Sequence, residues 1–143
     1  MPIVKTIKSS VEDALKNDEV RLLALNLNCV KNQKDYEDLF NLVPELKVTD
    51  DNFELPSLYR LGDYSVATTE QGPAFLLFYT NLTSKDKLEI SALKSCLKKL
   101  SQEAIASRNY ISLGMVKTKE NWDVVQKLLS FQEYLLITII DND

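Results

Sequence analysis

Histidine is absent from this sequence of 143 residues. Its absence removes the commonest general base and every Ser-His or Cys-His nucleophile arrangement. The two cysteines, Cys29 and Cys96, lie far apart and have no histidine with which to complete a zinc site. Any catalysis would therefore depend on carboxylates, lysine, tyrosine or a bound metal. We expect both cysteines to be small buried side chains in a reducing compartment.

Glycine and proline are scarce, with three and four residues respectively. No stretch has the composition of a flexible linker, and no internal repeat or low-complexity tract is found. The length of 143 residues suits one domain, because domains usually have about 100–200 residues. We therefore predict a single domain over residues 1–143.

Long apolar runs and an excess of positive charge are also missing. No run approaches the ~20 residues that span a bilayer, and the N-terminus lacks the apolar core of a secretory signal. We expect an intracellular protein of the nucleus or the cytoplasm, with no membrane partner. The 17 Lys and Arg are outnumbered by 21 Asp and Glu. Because nucleic-acid affinity comes mainly from a concentrated basic surface, we do not expect a nucleic-acid partner.

Two apolar patterns predict the first strands. Residues 3–8 alternate sides as a β-strand does, and they precede Ser9 and Glu12, which have the capping-box spacing of a short helix. Residues 20–27 are almost continuously apolar, which is typical of a central strand covered on both faces. We place this second strand in the middle of the sheet.

The following segment predicts a helix and then a loop. Apolar side chains recur at helical spacing over residues 35–43, and Pro44 is expected to stop that helix. Residues 45–60 are irregular and acidic, and Pro56 favours a surface loop there.

The second half predicts alternating strands and helices. Strands at residues 63–69 and 74–79 flank a Gly-Pro pair whose turn chemistry predicts an antiparallel hairpin. A long amphipathic helix follows Ser84. A strand, a helix and a strand complete the order at residues 110–113, 121–129 and 134–140. The alternation predicts a three-layer α/β/α fold with a mixed central sheet.

The order of these elements resembles the second half of a macrodomain. The resemblance lies in the hairpin, the long helix, the strand Ile-Ser-Leu-Gly-Met-Val at residues 111–116, and the helix that begins Asn-Trp-Asp-Val-Val at residues 121–125. Residues 23–40 match the family's second strand, first ligand loop and next helix more loosely. The chain is most similar to the small macrodomains of the terminal ADP-ribose protein glycohydrolase branch. This resemblance implies a three-layer macrodomain-like fold with a cleft for ADP-ribose.

The segments that match the family's two ligand loops contain no glycine. In active macrodomains, glycines let backbone N–H groups approach the diphosphate and the ribose closely. Here the first segment, residues 31–37, carries a tyrosine and carboxylates, and the second, residues 117–120, reads Lys-Thr-Lys-Glu. The resemblance therefore implies degenerate ligand loops.

The residues that match the family's functional side chains also differ. The family's catalytic lysine corresponds to Thr80 or Asn81, and no aspartate stands in the second loop before Trp122. The family's adenine-reading aspartate corresponds to Ser9 or Ser10. The resemblance thus implies that the catalytic pair has been lost.

Several polar residues remain as candidate ligand contacts. Asn26 and Asn28 lie at the carboxyl end of the predicted buried strand, where ligands of open α/β sheets gather, although asparagines there also cap turns. Lys117 and Thr118 would hold a phosphate by side-chain charge, or would simply form a solvated loop. The candidate set is Asn26, Asn28, Asn32, Thr80, Lys117 and Thr118.

Three other groups of residues have a functional and a plain interpretation. Lys87, Lys94 and Lys98 form a basic strip that is a candidate partner-binding surface or a solvated helix face. Carboxylates near a helix start could bind a metal, or could favour the helix dipole, at Asp35, Glu37 and Asp38. Aromatic residues could form an exposed patch or pack in the core at Tyr36, Phe40, Phe53 and Tyr59.

Together these observations predict a non-catalytic module that binds or scaffolds another protein, without a cofactor or a metal. This function predicts an occluded or uncharged cleft. The alternative is a divergent ADP-ribose-binding protein or ADP-ribosyl-carboxylate hydrolase that uses Asn26, Asn28, Lys117 and Thr118. A third hypothesis is a nucleic-acid module that uses the lysines of residues 87–99, which predicts strongly salt-dependent binding.

Overall fold

A computed structural model of the protein describes residues 4–30, 33, 36–53, 57–83 and 87–142. The strands are β1 (Val4–Lys8), β2 (Leu22–Asn28), β3 (Tyr64–Thr68), β4 (Ala74–Asn81), β5 (Ile111–Val116) and β6 (Leu135–Asp141). The helices are α1 (Val11–Lys16), α2 (Glu37–Leu42), α3 (Pro44–Asp51), α4 (Ile90–Ser107) and α5 (Trp122–Ser130), with a 3-10 helix at Ser57–Arg60. Ile3, Asn32, Asp35, Pro56 and Ser84, which the sequence predictions used, lie outside the described residues.

The six strands form one mixed sheet in the order β1-β6-β5-β2-β4-β3. All neighbours are parallel except β3 and β4, which form the predicted antiparallel hairpin. β2 lies between β5 and β4, so its predicted place in the middle of the sheet is confirmed. Its apolar side chains are needed there because both faces of the strand are covered.

Helices cover the two faces of the sheet, as the three-layer prediction requires. On β4, Leu76 and Phe78 pack with the apolar cluster that contains α4 and α5 side chains. The alternate residues of the strand, Phe75, Leu77 and Tyr79, pack with the cluster that contains side chains from α1, α2 and α3. The period of two along a strand divides β4 between the layers in this way.

The cap of α1 is one residue later than the sequence pattern predicts. The hydroxyl of Ser10 accepts a hydrogen bond of 3.1 Å from the backbone N–H of Asp13. Ser9 instead donates its hydroxyl hydrogen to the Ser10 carbonyl at 2.8 Å. The predicted capping role of Ser9 is therefore wrong, because an N-cap oxygen must reach an N–H two or three residues ahead.

The loop predicted over residues 45–60 is wrong, since most of its first half is α3. Pro44 ends α2 but is also in the first turn of α3, where its missing N–H costs nothing and its fixed φ suits a helix. Leu46 of α3 is fully buried, and Asp50 of the same helix is only 4% exposed. The acidic composition of this segment is typical of a loop, but α3 is stabilised by the packing of its buried side.

Asp50 belongs to a buried polar cluster with Arg60 and Tyr79. Its Oδ1 accepts hydrogen bonds from Arg60 Nη1 at 3.1 Å and from the Tyr79 hydroxyl at 2.6 Å. Arg60 Nη2 also donates to the carbonyl oxygens of Asp50 and Phe53. The guanidinium lies over the rings of Phe53 and Tyr79 at 5.3 and 5.2 Å. This closed cluster, as we call it, joins α3 to β4 and to the 3-10 helix.

Gly114 in β5 is required by a close approach between chain segments. A Cβ at this position would lie 2.5 Å from Val20 Cγ1, too close for any real contact.

The prediction that both cysteines are buried is confirmed, because Cys29 and Cys96 are fully enclosed. Burial raises the pKa of the Cys96 thiol to about 12 and also raises that of Cys29. Within the described ranges, no helix is both long enough and apolar enough to cross a membrane.

Candidate functional site

Five parallel strands end at the same edge of the sheet, and a cleft of about 730 Å³ lies beside the ends of β5 and β6. Carboxyl edges are where open α/β sheets gather their ligands. The first turns of α1 and α2 and the segment between β5 and α5 supply the other walls. The lining residues are Ser10, Val11, Glu12, Tyr36, Asp38, Leu39, Val116, Lys117, Thr118, Lys119, Trp122, Asp141 and Asn142.

A buried carboxylate lies in the cleft between two lysines. Asp141 is the last residue of β6, and its side chain is 8% exposed. Lys8, its partner in the register of β1 and β6, donates a hydrogen bond of 2.7 Å from Nζ to Asp141 Oδ2. Lys117 Nζ lies 3.7 Å from the same oxygen. We call these three residues the cleft cluster.

Lys117 is held on its other side by an aromatic ring. Its Nζ lies 5.9 Å from the centroid of the Trp122 ring, within the range of a cation–π contact. Its backbone N–H continues the strand pairing by donating to the Ile140 carbonyl at 2.9 Å. The ammonium thus lies between Asp141 and Trp122, with its side chain 36% exposed.

The segment from Lys117 to Trp122 turns without a glycine. Thr118 closes it by donating its hydroxyl hydrogen to the Glu120 carbonyl at 2.9 Å. Asn121 takes the left-handed conformation with φ of 57° immediately before α5. Asparagine adopts this region more readily than most residues, so it takes the place that glycine often has.

The end of β2 is also closed by a side chain. Gln33 accepts a hydrogen bond from the Asn28 N–H and donates one to the Asn28 carbonyl, at 3.0 and 2.9 Å. The amide of Gln33 therefore takes the place of a neighbouring strand for one residue. Asn28 itself is 5% exposed.

The structure places the predicted ligand contacts in two groups. Lys117 and Thr118 line the cleft. Asn26 and Thr80 lie on the neighbouring strands β2 and β4, where the Thr80 hydroxyl is 3.3 Å from Asn26 Oδ1 and is fully buried. The described residues that line the cleft do not include Asn26, Asn28 or Thr80. Asn32 lies outside the described residues.

The other predicted surfaces differ in how far their residues are exposed. Lys87, Lys94 and Lys98 are exposed, and the adjacent Lys99 pairs with Asp63 at 3.2 Å. Of the four aromatic residues, Tyr59 is 76% exposed, whereas Tyr36, Phe40 and Phe53 pack against the apolar core. No exposed patch unites the four.

Of the carboxylates predicted near a helix start, Glu37 and Asp38 are described, whereas Asp35 lies outside the described residues. Glu37 and Asp38 occupy the first turn of α2, where the helix dipole favours them. No group of three potential ligands occurs among the described residues.

Sequence reasoning missed Asp141 and treated Trp122 only as a landmark of the family. A signal for Asp141 was present, because an aspartate follows the apolar run of residues 135–140 directly. A charged residue at the carboxyl end of a parallel strand faces the edge where ligands bind. Its lysine partners come from the other end of the chain and from another strand, so no local pattern predicts the cluster.

Comparison with known proteins rests on structure, because neither a family model nor a curated protein matches the sequence. The macrodomain of Mycobacterium tuberculosis DarG has a TM-score of 0.70 and 18% identity, over 100% of this chain and 99% of that one. A macrodomain protein from Streptomyces coelicolor has a TM-score of 0.69 and 13% identity, over 98% and 99% of the two chains. This chain has a macrodomain fold.

A further solved structure with the macrodomain fold contains a ligand. It is Thermosipho africanus DarTG in complex with ADP-ribose, with a TM-score of 0.73 and 15% identity. The match covers 99% of this chain and 42% of that chain. At such identities the likeness establishes the macrodomain fold, and the function of this chain has to be argued from its own cleft.

Proposed function

We propose that this protein is a non-catalytic binding module that holds ADP-ribose, or the ADP-ribose group of a modified protein, in the cleft. The observation that carries the proposal is the open cleft of about 730 Å³ at the carboxyl edge, lined by Lys117, Trp122 and Asp141. An aromatic ring, a cation and a buried carboxylate suit a ligand that has a flat base, phosphates and hydroxyl groups.

The open cleft also changes the balance between the two functions that the sequence suggested. A pure protein-binding module predicted an occluded or uncharged cleft, whereas the described residues line a cleft that contains charged side chains. The cleft carries Lys117 and Lys119 as well as Glu12, Asp38 and Asp141. Ligand binding therefore becomes the leading function, supported by the macrodomain neighbour that was solved with ADP-ribose.

The non-catalytic half of the proposal is supported by the residues that stand where the related branch has its catalytic pair. Thr80, one of the two residues that correspond to the family's lysine, is fully buried, and its hydroxyl contacts Asn26 Oδ1 and the other candidate, Asn81 Oδ1, at 3.3 and 3.0 Å. The segment between β5 and α5 reads Lys-Thr-Lys-Glu-Asn and offers no aspartate. We infer that the cleft binds its ligand without cleaving it.

The test combines titration calorimetry with a release assay. We expect wild-type protein to bind ADP-ribose with a micromolar Kd and to leave a substrate mono-ADP-ribosylated on glutamate intact. Absence of binding at millimolar ADP-ribose would overturn the binding half. Release of ADP-ribose from the modified glutamate at a rate that scales with enzyme concentration would overturn the non-catalytic half.

A second candidate function, contact with another protein, is favoured by exposed aromatic residues at the opposite edge of the sheet. The rings of Tyr110 and Tyr134 stack with their centroids 6.5 Å apart beside the first residues of β5 and β6, and the two residues are 65% and 41% exposed. Phe131 is 73% exposed. If this surface binds a partner, Phe131→Ser and Tyr110→Ser should abolish co-purification of that partner, whereas Tyr59→Ser should not. Equal recovery with all three variants would exclude this surface.

A further inference from the structure

The cleft cluster contains more positive than negative charge. The carboxylate of Asp141 meets the ammonium groups of Lys8 and Lys117, so two cations share one anion. The acidic side chains of Glu12 and Asp38 also line the cleft, but they belong to α1 and α2 and not to the segment that carries Lys117. Within the cluster, Lys117 follows β5 and Lys8 ends β1, so the net positive charge of the cluster is divided between these two positions beside Asp141.

The two lysines contact Asp141 in different ways. Lys8 makes a hydrogen bond of 2.7 Å, whereas Lys117 Nζ lies 3.7 Å from the same oxygen, beyond hydrogen-bond distance. Lys8 thus neutralises the carboxylate, and Lys117 is only attracted to it. Within the described part of the chain, the Lys117 ammonium donates no hydrogen bond, and it lines the cleft.

The position of Lys117 is restrained before any ligand binds. Trp122 lies on one side of the ammonium and Asp141 on the other, at 5.9 and 3.7 Å. A restrained lysine loses less side-chain entropy on binding an anion than a lysine that moves freely in solvent. Lys119, in the same segment, is exposed.

The rest of the segment is poorly suited to hold an anion. The Thr118 hydroxyl hydrogen is already donated to the Glu120 carbonyl. The absence of glycine places a Cβ at every position from Lys117 to Trp122, which limits how closely the main chain approaches a phosphate. Recognition of negative charge thus falls to a side chain.

We propose that Lys117 is the anion-binding residue of the cleft and that its ammonium holds a phosphate group of the ligand. The Lys8–Asp141 pair and Trp122 position that ammonium. This inference rests on the proposed function and adds to it the residue that recognises the diphosphate. The charge contact comes from a side chain and not from a glycine-rich loop.

The experiment measures calorimetric affinities for ADP-ribose, inorganic pyrophosphate and adenosine at low and high salt. Four proteins are compared: wild type, Lys117→Gln, Lys117→Arg and the control Lys127→Gln, which removes an exposed charge in the last turn of α5. We expect Lys117→Gln to weaken ADP-ribose and pyrophosphate binding about tenfold or more, because charged hydrogen bonds are the strong ones. It should also flatten the salt dependence. Lys117→Arg should restore most of the affinity, and adenosine binding should not depend on residue 117.

The outcomes separate this inference from the proposed function. Equal ADP-ribose affinity and salt dependence in wild type and Lys117→Gln would overturn the role of Lys117 and leave the proposed function standing. Pyrophosphate binding that needs Lys117, without ADP-ribose binding, would support the anion site and overturn the proposed ligand. Binding of neither ligand to folded wild type would overturn both.

Discussion

Asp50 and Asp141 are both buried carboxylates that face cations, yet their surroundings differ in one decisive respect. The side chain of Arg60, the partner of Asp50, is 5% exposed. The partners of Asp141 reach solvent, with exposures of 71% for Lys8 and 36% for Lys117. The closed cluster therefore has no access for a ligand, whereas the cleft cluster has one. Exposure of the cation, more than burial of the carboxylate, therefore distinguishes the structural ion pair of Asp50 from the candidate binding site at Asp141.

The largest expected effect comes from breaking the closed cluster. Arg60→Met should lower the free energy of unfolding by about 3–5 kcal/mol, because it leaves the Asp50 charge buried without its cation. The matched change in the cleft cluster, Lys8→Met, should cost no more than about 1 kcal/mol, because that ammonium is largely solvated. Urea unfolding curves measure both values. Similar losses of unfolding free energy in the two variants would contradict the assigned difference between the closed cluster and the cleft cluster.

A smaller effect is expected from removing a single hydroxyl of the closed cluster. Tyr79→Phe should cost about 1.5–3 kcal/mol, since the lost hydrogen bond of 2.6 Å ends on a charged carboxylate. Thermal unfolding monitored by circular dichroism would record it, with Tyr59→Phe as the exposed control. If Tyr79→Phe matched its control, Asp50 would not need the hydroxyl.

Alkaline pH should destabilise the protein through buried groups whose pKa is raised by burial. Burial raises the pKa of Cys96 from 9.0 to about 12, and burial with the Asp50 hydrogen bond raises the pKa of Tyr79 above 10.0. These groups stay protonated in the folded protein at a pH where the unfolded chain has already lost the protons. The contribution of these groups to the free energy of unfolding is therefore fully present below pH 9.0, and it is lost as the pH rises towards 12.

The size of this alkaline effect is about 1.4 kcal/mol per pH unit for each group once its unfolded-state pKa is passed. Urea unfolding at about pH 8, 9.5 and 10.5 would measure the slope across this window. Cys96→Ala should make the slope shallower, because it removes one of the groups that the unfolded chain titrates earlier than the folded protein. A stability that stays flat across this range would contradict the assignment.

The smallest expected effect on stability comes from changing Lys117, although this residue has the largest expected effect on binding. Lys117→Gln should change the free energy of unfolding by no more than about 0.5 kcal/mol, because its contact with Asp141 is long and partly solvated. The measurement is a denaturant titration beside wild type. A loss of several kcal/mol would make Lys117 a structural residue and would undermine its assignment to ligand binding.

Much of the fold followed from local patterns. The continuous apolar run of β2, the Gly-Pro turn of the hairpin and the stripe of α4 each depend on residues close in sequence. Local patterns do not predict α3, because Pro44 indicates the end of a helix, although a proline suits the first turn of a helix equally well. The residues of α3 that are not buried are mostly polar, and only Leu46 and Asp50 are buried, so its apolar pattern is too weak to predict a helix.

The site was harder to predict than the fold, for a physical reason. Lys8 and Asp141 are separated by 133 positions and meet only because β1 and β6 are neighbours in the sheet. Gln33 is similarly inconspicuous in sequence, yet its amide replaces a strand at Asn28. The positive charge of Lys117 in a glycine-free segment predicts a ligand contact. In the structure, its ammonium lies between Asp141 and Trp122.

The most direct test of the binding claim uses Trp122, the only tryptophan in the chain and a lining residue of the cleft. Its fluorescence should change saturably as ADP-ribose is added, and the same midpoint should appear in calorimetry. In Lys117→Gln the midpoint should move to higher ligand concentration. Binding detected by calorimetry with no response from Trp122, or no binding by either method, would contradict the placement of the ligand in this cleft.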